Sequence, residues 1–192
     1  GVLDLGSNTI HLQVVDAHPG ARPSPTTNQK VELRLTDYLN KSNEITEAGI
    51  ALLRQAISDA VDHAREFKTD EILAFATSAI RDARNGAQIL ANLNKEFGIE
   101  INILSGDEEA NMTFLAARRW YGWSSGRLLV IDIGGGSLEI GLGDDEHPEA
   151  TISLPLGAAR LTREFLENDP YTNKEIKNLE SKVRELVVSE LP

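Results

Sequence analysis

Asp4-Leu5-Gly6-Ser7-Asn8-Thr9 returns in altered form as Asp132-Ile133-Gly134-Gly135-Gly136-Ser137. In each copy an aspartate ends an apolar run, a glycine-rich turn with Ser or Thr follows, and another apolar run begins. Glycine lets backbone N–H groups approach an anion closely, and the hydroxyls add further donors. The pair therefore predicts two phosphate-binding loops, Gly6–Thr9 and Gly134–Ser137, that together hold one phosphate chain.

Each loop has a simpler reading as an ordinary hairpin turn, because glycine is the usual turn residue. Two copies in one chain, about one small domain apart, favour phosphate binding over that alternative. The aspartates have two readings as well. Asp4 and Asp132 are suited to holding a metal ion or a water beside the phosphate, but an aspartate before glycine also commonly ends a strand.

Composition excludes several classes of function. The net charge of −11 argues against broad binding to nucleic acid or to acidic membranes, so a polyanionic substrate has to be recognised by local groups in a cleft. The chain has no cysteine, and no apolar run approaches the length of about 18 residues that a membrane span requires. No secretory signal is visible, and we expect a cytoplasmic protein without nucleic-acid or membrane partners.

Hydrophobic periodicity predicts alternating strands and helices. The first 35 residues indicate a three-stranded meander, with a proline-rich loop over residues 18–29 and a third strand over residues 30–35. Thr46 is a predicted helix N-cap. Ser105 and Glu108 have the spacing of a capping box, in which the two side chains bond to each other's backbone N–H, and so do Thr172 and Glu175.

The meander begins again after residue 126, which predicts an α/β fold of two duplicated ribonuclease-H-like lobes with mixed sheets flanked by helices. We place the first lobe at residues 1–124 and the second at residues 125–192, with residues 122–126 as the linker. The second copy is expected to be truncated, because its repeat stops early.

Five segments, in this order, resemble the exopolyphosphatase and guanosine-pentaphosphate phosphohydrolase family of the actin-like ATPase superfamily. Any one of them is weak evidence alone, but all five together are highly specific. The segments are Asp-Leu-Gly-Ser-Asn-Thr (4–9), Ala-Thr-Ser-Ala-Ile-Arg-Asp-Ala-Arg-Asn (76–85), Leu-Ser-Gly-Asp-Glu-Glu-Ala (104–110), Asp-Ile-Gly-Gly-Gly-Ser-Leu-Glu (132–139) and Leu-Pro-Leu-Gly-Ala-Ala-Arg-Leu (154–161).

The resemblance implies hydrolysis of the terminal phosphate of inorganic polyphosphate, or of the 5′ γ-phosphate of pppGpp. Mg²⁺ is the implied metal, with Mn²⁺ as the alternative and a monovalent cation as a further cofactor. The resemblance also implies that Glu109 is the base that activates water and that Arg81 contacts phosphate. It implies a metal or water site at Asp132 and Glu139, with Asp4 as a further metal ligand. A homodimer is plausible on the same ground.

The residues alone leave alternatives open. Acidic residues at a helix start favour the helix dipole, which explains Glu108 and does not decide the role of Glu109. Arg81 on its own would be read as a surface ion pair. The four histidines show no metal-ligand spacing, so a zinc site is not expected. Besides the polyphosphatase, the functions left open are a pppGpp phosphohydrolase, a kinase or ATPase of the same superfamily, and a sensor that binds polyphosphate or nucleotide without turnover.

Overall fold

The computed structural model describes residues 1–20 and 23–190, and the chain divides into two compact units, Gly1–Leu104 and Ser105 onward. The first unit holds a five-stranded mixed sheet with the order β3-β2-β1-β4-β5. Strands β1, β2 and β3 are antiparallel, while β1, β4 and β5 run parallel. The strands are β1 (Val2–Leu5), β2 (Thr9–Asp16), β3 (Ser24–Glu32), β4 (Leu73–Ala76) and β5 (Ile101–Ile103).

Helices α1 (Glu47–Glu66), α2 (Ser78–Arg81) and α3 (Gly86–Phe97) complete the first unit. Thr46 caps α1 as predicted, since its side chain accepts a hydrogen bond from the Gly49 N–H. The core is formed by side chains that alternate along the strands and repeat along α1, which is the pattern that half-buried strands and an amphipathic helix require. Its fully buried members include Leu3, Leu5, Ile10, Leu12, Leu53 and Ile57.

The third strand differs from its prediction. β3 begins at Ser24, inside the segment expected to be a proline-rich loop, and it ends at Glu32. β3 is the edge strand of the sheet, where a proline that lacks an N–H donor is tolerated. Pro25 lies opposite Val15, next to an irregularity in the pairing. Residues 21 and 22 of the predicted loop lie outside the described residues.

The second unit contains a three-stranded antiparallel sheet with the order β6-β7-β8. It repeats the β1-β2-β3 meander, so the duplicated architecture is as predicted, and the described residues contain no counterpart of β4 and β5. Its elements are α4 (Gly106–Tyr121), β6 (Leu128–Ile133), β7 (Leu138–Gly143), β8 (Ala150–Leu154), α5 (Ala158–Phe165) and α6 (Asn173–Glu190).

The two compact units meet at Leu104/Ser105, whereas the lobe boundary expected from the sequence is 124/125 and stays a prediction. Helix α4 belongs to the second unit because it packs on that unit's sheet: a Cβ at Gly141 of β7 would lie 3.0 Å from the ring of Phe114. The expected linker, residues 122–126, is a short turn inside this unit. The buried Arg118 holds it, since Nη1 donates to Gly122 O at 3.3 Å and Nη2 reaches Gly143 O at 3.0 Å.

One face of β6 is open. The side chains of Leu129, Ile131 and Ile133 are each more than half exposed, while α4 packs on the opposite face of the sheet. Among the described residues, no helix combines the length and the apolarity needed to span a membrane.

The second predicted capping box forms at the start of α6. The Glu175 carboxylate accepts hydrogen bonds from the N–H and hydroxyl of Thr172 and from the backbone N–H groups of Glu167 and Asn168. Hydrogen bonds to the ionised form favour it, and they lower the pKa of Glu175 from 4.5 to about 2, with those from Thr172 contributing most.

Glu175→Gln should lower the melting temperature of the protein at pH 7. Because the folded-state pKa is depressed, the stabilisation is fully present above pH 4.5 and is lost as the pH falls towards 2. The difference in melting temperature between variant and wild type should therefore narrow over that interval in circular dichroism melts. Glu180→Gln, on the exposed side of the same helix, is the control. An equal difference at pH 7 and pH 3 would contradict this account.

Candidate functional site

The two predicted phosphate loops close in the same way. In the first, the Gly6 N–H donates to the Thr9 carbonyl at 3.0 Å, and in the second the Gly134 N–H donates to the Ser137 carbonyl at 2.9 Å. Each loop joins the first two strands of its meander, β1 to β2 and β6 to β7. The repeat seen in the sequence is therefore a repeat in backbone geometry.

In the first loop, the Ser7 hydroxyl does not face solvent. Ser7 is only 5% exposed, and its Oγ lies 2.9 Å from Oγ of Ser78, the first residue of α2. The contact ties the loop to α2, whose last residue is Arg81. Asn8 is exposed and Thr9 half-buried, so these two residues present the polar groups of this loop.

Asp4 lies directly opposite His11 in the pairing of β1 with β2. Partial burial raises the pKa of the Asp4 carboxyl above its ordinary value of 3.8, and the nearby charge of His11 acts in the opposite direction. Asp4 is the last but one residue of β1 and lies two residues before Gly6, the first residue of the loop.

Arg81 is anchored within the first unit. Its Nη1 donates to the Leu104 carbonyl at 3.0 Å, and its Nε lies 3.4 Å from Oδ1 of Asp82. The Arg81 side chain is 20% exposed. Backbone anchoring of this kind distinguishes Arg81 from a solvated surface ion pair, because it fixes the direction of the guanidinium.

In the second unit, the adjacent residues Glu108 and Glu109 lie in the first turn of α4 and make different contacts. Glu108 completes the predicted capping box: its Oε2 accepts from the Ser105 N–H at 2.8 Å, and the Ser105 hydroxyl accepts from the Glu108 N–H at 3.2 Å. These bonds from Ser105 lower the pKa of Glu108. Glu109 lies one residue on in the same turn, and its N–H bonds to the Ser105 carbonyl at 3.0 Å. Glu108 is therefore a structural residue, as expected, and the same turn fixes the backbone of Glu109.

A row of polar side chains crosses the sheet beneath the start of α4. Asp132 on β6 lies directly opposite Glu139 on β7, and the Ser153 hydroxyl on β8 donates to Oε1 of Glu139 at 2.9 Å. Glu139 is 3% exposed, whereas Asp132 is exposed. Helix α4 meets this row at Gly106, where a Cβ would lie 2.5 Å from Cβ of Ser153. Directly paired residues project from the same face, so the two predicted metal ligands and the first turn of α4 share one face of the sheet.

The two carboxylates of Asp132 and Glu139 suit a Mg²⁺ site. The described residues contain no group of three or more His, Cys, Asp or Glu side chains that could hold a metal ion. Mg²⁺ does not require such a group, because it is commonly bound by one or two carboxylates together with water and substrate phosphates. The neighbouring Asp132 and Glu139 match that donor set.

The second loop is supported by residues at the start of α5, a role that sequence reasoning did not predict for them. The start of α5 packs against it so closely that a Cβ at Gly157 would lie 2.3 Å from the carbonyl carbon of Gly136 and 2.4 Å from the Ser137 nitrogen. Ala158 and Arg160 donate hydrogen bonds to the loop. The signal for these residues in the sequence was that residues 156–160 belong to one of the five segments that resemble the family.

The predicted site residues thus form two groups, one in each unit. The first unit holds Asp4, Gly6, Ser7, Asn8, Thr9 and Arg81, and the second holds Glu109, Asp132, Gly134, Gly135, Gly136, Ser137 and Glu139. Their roles in binding and catalysis stay predictions.

Comparisons with known proteins agree on one family. The model of the Ppx/GppA phosphatase family matches residues 13–191. Over 170 residues, 88% of this chain and 49% of the relative, the chain is 52% identical to Exopolyphosphatase 1 of Mycobacterium tuberculosis. It is 28% identical to the guanosine-5′-triphosphate,3′-diphosphate pyrophosphatase of Aliivibrio fischeri, covering 90% of this chain and 34% of that protein.

Among solved structures, the Aquifex aeolicus PPX-GPPA enzyme superposes with a TM-score of 0.77 at 26% identity, covering 98% of this chain and 62% of that one. The chain spans about half the length of the mycobacterial relative. The five motifs, the paired loops and these matches lead to one conclusion: the chain belongs to the Ppx/GppA phosphatase family.

Proposed function

We propose that the full-length protein is a cytoplasmic, Mg²⁺-dependent exopolyphosphatase that removes the terminal phosphate of inorganic polyphosphate by attack of water. The observation that supports this most directly is the 52% identity, over 88% of the chain, to a relative named Exopolyphosphatase 1. The products are one orthophosphate and a polyphosphate shorter by one unit.

Phosphoryl transfer to water needs little covalent chemistry from the protein. It requires in-line positioning of the phosphate, neutralisation of its charge and an oriented water. The loops Gly6–Thr9 and Gly134–Ser137 supply N–H donors for the phosphates, and the anchored guanidinium of Arg81 neutralises charge that develops on the transferred group. This local positive character reconciles a polyanionic substrate with a chain of net charge −11.

Glu109 is the proposed general base. A carboxylate accepts a proton from the attacking water as the bond to phosphorus forms, and the turn of α4 that carries Glu109 has its backbone fixed by the Ser105 cap. Asp132, Glu139 and Asp4 are the proposed metal ligands. Mg²⁺, when bound, would neutralise phosphate oxygens.

The second candidate is hydrolysis of pppGpp at its 5′ γ-phosphate, which the similarity to the guanosine-5′-triphosphate,3′-diphosphate pyrophosphatase of Aliivibrio fischeri favours. The two reactions use the same groups, so the site residues do not separate them. Mn²⁺ as the metal, a monovalent cation and a homodimer stay predictions, as does the third reading, a sensor without turnover.

The test is phosphate release by the full-length protein from long-chain polyphosphate, short-chain polyphosphate, pppGpp and ATP. Each substrate should be assayed with Mg²⁺, with Mn²⁺ and with a chelator. We expect release from polyphosphate that depends on the divalent metal. Release from pppGpp alone would move the function to alarmone conversion, and binding of polyphosphate without release would favour the sensor.

A further inference from the structure

Three consecutive carbonyls of the loop Gly134–Ser137 are held from one side. The Gly134 carbonyl accepts from the Ala158 N–H at 2.9 Å, and the Gly135 carbonyl accepts from the Arg160 N–H at 3.0 Å. The Gly136 carbonyl accepts from Nε of the Arg160 side chain at 2.7 Å. All three donors belong to the first turn of α5, where helix N–H groups have no partner inside the helix.

These contacts determine where the N–H groups of the loop point. In a trans peptide the N–H of one residue points opposite to the carbonyl of the residue before it. With the carbonyls of residues 134, 135 and 136 turned towards α5, the N–H groups of Gly135, Gly136 and Ser137 point away from it. Successive N–H groups on one side of a turn form an anion-binding concavity.

We propose that Arg160 is a positioning residue that holds this loop in its anion-binding conformation through the bond from Nε to the Gly136 carbonyl. The proposal rests on the proposed function, because it assigns the loop of that same site its support. Arg160 acts through the backbone of the loop and not as a ligand of the substrate.

A comparison with the corresponding loop of the first unit shows how Arg160 differs from the other donors. The loop of the first unit is also held by the segment that follows the third strand. Among the described residues the donors there are backbone groups: the Leu35 N–H bonds to the Ser7 carbonyl, and the N–H groups of Leu33 and Arg34 bond to the Asn8 carbonyl. In the second unit a side chain replaces one of these donors. The support that the second loop receives from this segment therefore depends in part on a side chain, which a substitution can remove.

Two substitutions separate positioning from charge. In Arg160→Gln the amide nitrogen stands as many bonds from the backbone as Nε does, so the donor is kept and the charge is lost. In Arg160→Lys the charge is kept and a methylene replaces Nε. Loss of one hydrogen bond of ordinary strength corresponds to about a tenfold change in affinity. We expect Arg160→Lys to raise KM for polyphosphate about tenfold with kcat within about twofold, and Arg160→Gln to keep KM within about threefold.

The experiment uses the full-length protein, with Arg163→Gln as the control for loss of a positive charge on the exposed side of α5. Hydrogen exchange of the Ala158 and Arg160 amides gives a readout that needs no turnover, since both are bonded to loop carbonyls. Their exchange should be faster in Arg160→Lys than in Arg160→Gln.

A wild-type KM in Arg160→Lys with a raised KM in Arg160→Gln would overturn the proposal, because it would make Arg160 a ligand that acts by charge. If the wild-type protein releases no phosphate from any substrate, the proposed function fails, and hydrogen exchange alone decides the positioning role. Equal exchange of these amides in wild type, Arg160→Lys and Arg160→Gln would then overturn the positioning role.

Discussion

Glu109→Gln in the full-length protein should reduce phosphate release from polyphosphate by about 10²–10⁴-fold, the range that general-base catalysis contributes. Glutamine has nearly the same shape as glutamate but cannot accept the proton of the attacking water. The backbone at this position is fixed by the Ser105 carbonyl, so the fold of α4 should not change. Initial rates with Mg²⁺ give the loss, and equilibrium binding of polyphosphate should stay within about threefold.

The neighbouring Glu108 provides a matched control. Glu108→Gln removes the same charge one residue away, and glutamine is also accepted at this position of a capping box. Its rate should stay near that of wild type. Wild-type activity in Glu109→Gln, or equal losses in the two variants, would rule out Glu109 as the base.

Gly157→Ala should have the second-largest effect, because the added Cβ meets backbone atoms that cannot rotate away. The Cβ would lie 2.3–2.4 Å from three backbone atoms of Gly136 and Ser137, so the start of α5 and the loop have to separate. We expect a loss of about 2–3 kcal/mol in the free energy of unfolding, as for overpacked sites. Displacement of the phosphate loop by about 1 Å should lower kcat/KM by about 10²-fold.

Denaturant titration and initial rates measure these two effects. Gly134→Ala is the control for stability, because its Cβ would lie 3.3 Å from the Ser137 carbonyl oxygen, a contact that small shifts relieve. A stability loss in Gly157→Ala no larger than that in Gly134→Ala would show that the close approach of α5 to the loop is not rigid.

The features that the sequence predicts correctly are those that depend on a few adjacent residues. The cap at Thr46 and the boxes at Ser105 and Thr172 need only a donor and an acceptor three residues apart, and all three are present. The paired glycine loops and the duplicated meander are likewise local patterns repeated once. The family follows from five such segments in order, and the family model and the mycobacterial relative confirm it.

Other features depend on partners distant in sequence. The prolines at and before the start of β3 indicate a loop until the sheet order shows that β3 is an edge strand. Helix α4 belongs to the second unit through packing at Gly141 and Ser153, which no periodicity within α4 reveals. The Ser7 hydroxyl bonds to Ser78, 71 residues away, a contact that the local pattern of the loop does not reveal. Arg160 reaches the Gly136 carbonyl 24 residues earlier in the chain.

The central claim is that water attacks the terminal phosphate of polyphosphate. Hydrolysis of long-chain polyphosphate by the full-length protein in ¹⁸O-labelled water, followed by mass spectrometry of the released phosphate, tests it most directly. We expect one ¹⁸O atom in each orthophosphate released in a single hydrolysis step and a polyphosphate that shortens from its end. Unlabelled phosphate passed to an acceptor would indicate a kinase, and bound polyphosphate without any release would indicate a sensor; either result would contradict the account.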